Sequence, residues 1–134
     1  MKEVFLIRGV SGAGKSTLAE ALSNNTTLHV EADMYFVTAD GEYKFDASQL
    51  YAAHNDCFET FGLAVLDNSI TRVIVSNTFT TVKEIQPYID YAKQHNCKLT
   101  VLTVEKCHDN ANVHGVPEAV IRRQHERFQR IGGC

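Results

Sequence analysis

Two stretches of the chain are apolar without a break, and most of the rest recurs at a recognisable spacing. Val4-Phe5-Leu6-Ile7, closed by Gly9, and Val73-Ile74-Val75, opened by Arg72 and closed by Ser76, offer apolar side chains to both faces. Such runs predict parallel strands covered on both sides. Thr27 to Ala32 reads as a short second strand, and Lys98 to Val104, alternating and β-branched, as a fourth. Between them the period changes to that of a helix. Leu18, Ala21 and Leu22 share one face of a helix from Lys15 to about Ser23. Leu50, Cys57, Phe58, Phe61 and Val65 mark a long helix to about Asn68, with Asp46 and Gln49 spaced as a capping box. Thr81 and Glu84 form a second such box before Ile85, Tyr88, Ile89 and Ala92; Pro87 implies a kink there or a start near Gln86. Residues 105–116 have no period and read as a loop. Pro117 suits the first turn of a last helix carrying Val120, Ile121, Gln124 and Phe128. Strands alternating with helices predict an α/β three-layer sandwich around a parallel sheet of about four strands.

A chain of 134 residues fits one domain, here 1–134. Its 44% hydrophobic content, with seven Phe and five Tyr, excludes a disordered or low-complexity segment. No apolar run approaches the roughly 20 residues of a membrane span, and the first residues lack a small-residue cleavage site. The expectation is a cytoplasmic protein. Cys57, Cys97, Cys107 and Cys134 show no CxxC spacing, and the histidines no HExxH pairing, so reduced thiols are expected rather than a disulfide framework or zinc site. The net charge of −3 conceals an asymmetry. Residues 29–67 hold eight acids against Lys44 alone, whereas Arg122, Arg123, Arg127 and Arg130 crowd the last helix. A general nucleic-acid coat would not be distributed in this way.

The chemistry is concentrated after the first strand. Gly9-Val10-Ser11-Gly12-Ala13-Gly14-Lys15-Ser16 fits GxxxxGK[ST], followed by Thr17. Glycines let backbone N–H groups converge on phosphate oxygens, a lysine brings a point charge to the β and γ phosphates, and the serine hydroxyl is a Mg²⁺ ligand. A helix opening at Lys15 aims its positive dipole end at the same place. Ser11, Gly12, Ala13, Gly14, Lys15, Ser16 and Thr17 are therefore the candidate ATP-contacting set. Asp33 follows the second strand, where ligands of open parallel sheets bind. There it can accept a proton from an acceptor hydroxyl, hold Mg²⁺ through water, or simply cap a turn. The third strand ends in Ser76 and Asn77, where many phosphate-loop proteins place a Mg²⁺-orienting aspartate. Neither residue bears a charge.

The ordered set of motifs resembles the polynucleotide kinase family of P-loop kinases, in particular its small single-domain members. It runs from about Phe5 to Phe128 and comprises RGVSGAGKSTLA, EADMYF, GEYKFD, VIVSNT with EIQPY, and NVHGVP. The resemblance implies an ATP- and Mg²⁺-dependent kinase that phosphorylates a hydroxyl, in the family the 5′-hydroxyl of a nucleic acid. It implies that Asp33 is the general base and that Lys15 and Ser16 serve the phosphates and the metal. It also implies a lid at about 105–116, in which members carry an arginine; here Asp109-Asn110-Ala111-Asn112 has none. Arg122 or Arg123, just behind that lid, is the candidate substitute at the nucleotide. Some members grip the acceptor phosphate with an arginine where this chain has Phe36. Tyr35 and Phe36 either stack on a base or pack the loop, and His54 lies on the acceptor side or simply at the surface. His114 is read as part of the lid turn. The acid of residues 29–67 favours a small-metabolite acceptor on the same scaffold, and the missing Asp and Arg leave a catalytically weak nucleotide-binding module as a third possibility. The oligomeric state is left open.

Overall fold

The structure is a computed structural model that describes residues 1–105 and 118–128. Four strands, β1 (Glu3–Arg8), β2 (Thr27–Val30), β3 (Arg72–Asn77) and β4 (Lys98–Thr103), form one parallel sheet in the order β2-β3-β1-β4. The helices are α1 (Lys15–Leu22), α2 (Leu50–Leu66), α3 (Val82–Gln94) and α4 (Glu118–Arg127). Among the described residues, no helix is long and apolar enough to cross a membrane.

The uninterrupted apolar runs are explained by the layers. Successive side chains of a strand point to opposite faces. Val4 and Leu6 of β1, with Val73 and Val75 of β3, pack against Ala53, Cys57 and Phe61 of α2 and Ile85 and Tyr88 of α3. Ile7 and Ile74 point the other way, onto Ala19 of α1. Both central strands are thus covered on both sides, as the sequence predicts. Phe61 is the anchor of the thicker layer. It is fully buried, its ring centroid 5.0 Å from that of Tyr88 and 5.9 Å from that of Tyr91. Truncating a buried aromatic costs about 3–5 kcal/mol. Phe61→Ala is therefore expected to lower unfolding stability by that amount in urea titrations, with little change in the phosphate loop on the other side of the sheet.

Three sequence expectations change. The second strand stops at Val30, and Ala32–Phe36 turn as a 3₁₀ helix. The cause is a buried bond: the Ala32 N–H donates to Asn77 Oδ1 at 2.8 Å, which draws the chain out of the ladder. Asp46 caps only a short 3₁₀ turn, Ala47–Gln49, through Ser48, while Gln49 Oε1 accepts the Tyr35 hydroxyl instead of closing a box. α3 begins at Val82, and the Thr81–Glu84 capping box is present; Pro87 sits within the helix rather than delaying its start.

The strand order also locates a crevice. From β1 the chain crosses over β3 to reach β2, and from β3 it crosses over β1 to reach β4. The two adjacent strands therefore send their connections in opposite directions. Ligands bind at such a switch point, outside the carboxyl ends of the strands.

Candidate active site

The loop after β1 and the ends of β2 and β3 meet at this switch point. Gly9 is required by close approach, because a Cβ there would lie 2.7 Å from the Val104 carbonyl oxygen. Gly14 precedes α1 with φ +105, in the left-handed region that favours glycine. It gives α1 no side-chain cap, and the first turn holds no acid. The first N–H groups of that helix are left for an external anion.

Lys15 opens α1 and folds back, its Nζ donating to the Val10 carbonyl at 2.9 Å. Desolvation of its ammonium pulls its pKa down to about 8, opposed by the charges of Asp33 and then Glu31. Lys15, Ser16 and Asp33 line a single cleft of about 710 Å³. Asp33 is half-buried in the 3₁₀ turn after β2, where its Oδ1 accepts the Tyr43 hydroxyl at 3.3 Å. Burial first, and Asp33 second, push the Tyr43 phenol above its ordinary pKa, so it stays a donor.

Of the phosphate-loop residues, Ser11, Gly12, Gly14 and Thr17 also line the cleft. Ala13 is buried, its N–H donating to the Val10 carbonyl at 3.1 Å. The Ser11 N–H is already engaged, donating to Gln124 Oε1 of α4 at 2.9 Å. This bond brings α4 over the loop and decides which arginine faces inward. Arg123 and Arg127 line the cleft, whereas Arg122 does not, so of the two arginines the sequence offers behind the lid it is Arg123 that the structure brings there. Arg8, at the end of β1, is fully buried beneath the same helix. Its Nε and Nη2 donate to the Phe79 carbonyl at 3.1 and 2.8 Å, and its guanidinium lies 4.1 Å from the centre of the Phe128 ring. Phe79 itself holds a φ of 45.

The sequence reading missed Glu31. Its Oε2 accepts hydrogen bonds from Ser16 Oγ at 3.2 Å and from Ser76 Oγ at 3.0 Å. His29 Nε2 lies 2.5 Å from Ser76 Oγ and 3.6 Å from the same carboxylate oxygen. Asn77, in contrast, is spent on the fold: it accepts from Ala32 and donates to Cys57 Sγ at 3.5 Å. Among the described residues no three His, Cys, Asp or Glu side chains gather to hold a metal by themselves. Mg²⁺ shared with substrate phosphates needs only one or two protein oxygens, the remainder coming from water and substrate. The hard oxygen donors of Ser16 and Glu31 fit that requirement.

Beyond Asp33 the cleft changes character. Phe36 is buried among Tyr35, Tyr43 and Phe45, so it packs the loop, while Tyr35 is partly exposed. Phe45, Leu50 and the largely exposed Tyr51 continue the wall, with His54 at its edge. The lid, with Ala111 and His114, lies outside the described residues.

A family model described as "AAA domain" matches residues 4–131. Among curated proteins, NEDD4-binding protein 2 of Homo sapiens is 31% identical over 96% of this chain, which spans only 8% of that protein's length. Among solved structures, a chain of the Pnkp1/Rnl/Hen1 RNA repair complex superposes with TM-score 0.68 at 14% identity, over 96% of this chain and 44% of the other. A fungal RNA kinase gives 0.59 at 19% identity, over 98% and 66%. A gluconokinase from Sinorhizobium meliloti 1021 gives 0.60 at 16% identity, over 98% and 77%. These likenesses concern the fold, and it is the match along nearly the whole sequence that places the chain in the AAA-domain family.

Proposed function

We propose that this chain transfers the γ-phosphoryl group of ATP to a hydroxyl of a nucleic acid or nucleotide. The observation that carries the reading is the convergence of Lys15, Ser16 and Asp33 on one cleft at the β1/β3 switch point. Lys15, which among the described residues forms no salt bridge and feels Asp33 and Glu31 only at a distance, gains most when phosphate oxygens arrive. The uncapped start of α1 adds its N–H groups, and Arg123 and Arg127 close the nucleotide side. Asp33 accepts the proton of the acceptor hydroxyl as the acceptor oxygen bonds to γ-phosphorus. The bond from γ-phosphorus to the β–γ bridging oxygen breaks, and ADP leaves with the electron pair. Bound at Ser16, Mg²⁺ would neutralise charge on the β and γ phosphates.

A second acceptor class is favoured by one specific observation. The cations that line the cleft among the described residues are Lys15, Arg123 and Arg127, all on the phosphate-loop side. The Asp33 side offers carboxylates and aromatic rings, and a polyanion would find no cation there. A small, uncharged hydroxyl compound with a flat ring would gain stacking on Tyr51 and Phe45. The test is transfer of label from γ-labelled ATP to 5′-hydroxyl oligonucleotides and to nucleosides in parallel. Label in oligonucleotides supports the first reading, and label confined to nucleosides, which are uncharged and carry a flat ring, supports the second. Nucleotide binding without transfer to any acceptor would overturn both and leave a binding module.

A further inference from the structure

Glu31 presents a problem that the phosphate-loop motif does not solve. Its carboxylate accepts a hydrogen bond from Ser16, the residue whose hydroxyl the proposed function assigns to the phosphate-bound Mg²⁺. It lies beside a second carboxylate, Asp33, in the same cleft. Two carboxylates next to a triphosphate repel it unless a cation stands between them. Lys15 cannot serve both, since it is the ligand of the phosphates themselves.

The surroundings of Glu31 are not those of a structural ion pair. No arginine or lysine salt-bridges it among the described residues; its neighbours are two hydroxyls and an imidazole. Ser76 O–H and Ser16 O–H both donate to Glu31 Oε2, and His29 Nε2 is hydrogen-bonded to Ser76 Oγ behind them. This arrangement fixes Oε2 and orients the carboxyl group. The other oxygen, Oε1, makes no hydrogen bond among the described residues. Ser76 meanwhile occupies the position at the end of β3 where an aspartate would orient the metal, and its hydroxyl reaches across to Glu31. The register explains the proximity: Val30 pairs with Val75, so Glu31, the first residue past β2, lies beside Ser76, which is still within β3.

We propose that Glu31 is a metal-positioning residue of this site, supplying from the end of β2 the carboxylate that Ser76 lacks at the end of β3 and orienting the Mg²⁺ shared by Ser16 and the nucleotide. The proposal rests on the reading of the cleft as a Mg²⁺-nucleotide site. Asp33 is thereby released from metal binding and left for the acceptor proton.

The experiment measures ATP affinity by calorimetry with and without Mg²⁺, and Mn²⁺ occupancy of the ATP complex by electron paramagnetic resonance. Glu31→Gln keeps the shape and the two serine contacts but removes the charge. It is expected to leave metal-free ATP affinity unchanged or raised, and to weaken metal affinity in the complex by about 10–100-fold, the usual cost of losing an orienting partner. Adding Ser76→Asp to Glu31→Gln returns a carboxylate about one side chain away and is expected to restore metal affinity. Asp33→Asn is expected to leave it intact. Metal affinity unchanged in Glu31→Gln, or lost instead in Asp33→Asn, would overturn the proposal while leaving the nucleotide site standing. Wild-type protein that binds no ATP under either condition would overturn the nucleotide reading and this inference together.

Discussion

Asp33→Asn is expected to slow phosphoryl transfer by about 10²–10⁴-fold, the range that a positioned general base supplies. ATP affinity should stay unchanged. The substitution is close to isosteric, and the asparagine oxygen can still accept the Tyr43 hydroxyl that Asp33 Oδ1 accepts now. What it cannot do is take a proton from the acceptor. The residue also sits outside the phosphate loop, in the 3₁₀ turn after β2, so its loss removes no contact that the loop makes. Single-turnover transfer of label, set against calorimetric ATP binding, separates the two effects. Transfer at the wild-type rate would mean that Asp33 does not carry the proton.

Lys15→Met is expected to lower ATP affinity by about 10–100-fold while leaving the free protein as stable as before, or more so. Hydrogen bonds to charged groups contribute about 1.5–3 kcal/mol each, which sets the size of the loss. The stability argument runs the other way. In the free protein the ammonium is desolvated enough to bring its pKa down to about 8, so the charge is held at a cost. Methionine keeps the packing of the stem without that cost. The Val10 carbonyl that Lys15 now bonds is not stranded, because the Ala13 N–H also donates to it. Thermal unfolding reports both halves: an equal or higher Tm without ligand, and a much smaller rise on adding ATP. A clear fall in Tm without ligand would show that the lysine supports the fold.

The layered sheet was legible because burial on both faces leaves a direct trace in sequence. Val73-Ile74-Val75 can only be apolar throughout if something covers each side. The phosphate loop was equally legible, since its geometry demands particular residues at fixed spacing within one stretch. What escaped depends on the order in which strands pair, which no local pattern encodes. Glu31 became significant only once β2 lay beside β3, setting it next to Ser76 from 45 positions away. The signal was present, a carboxylate two residues before Asp33, but its partner could not be assigned without the register. The choice between Arg122 and Arg123 turned on rotation by one helical position. That rotation is set by Gln124 reaching Ser11 across 113 residues and by Phe128 settling on Arg8. Asn77 stands where many phosphate-loop proteins place a metal-orienting aspartate, and the fold consumes it in ending β2.

Arg8 gives the last helix an importance that its few apolar residues would not suggest. A guanidinium with no exposed surface is tolerated because Phe79 offers its carbonyl on one side and Phe128 its ring on the other. Among the described residues its Nη1 has no hydrogen-bond partner. Removing α4 and the Phe128 that follows it would strip away the aromatic cover and admit water to the end of β1, directly beneath the phosphate loop. The phosphate-loop half therefore cannot be pared down to the sheet and α1 alone. Domain boundaries drawn for transplanting or fusing this unit should carry the chain at least through Phe128, because the end of β1 is sealed by a residue 120 positions further along the chain.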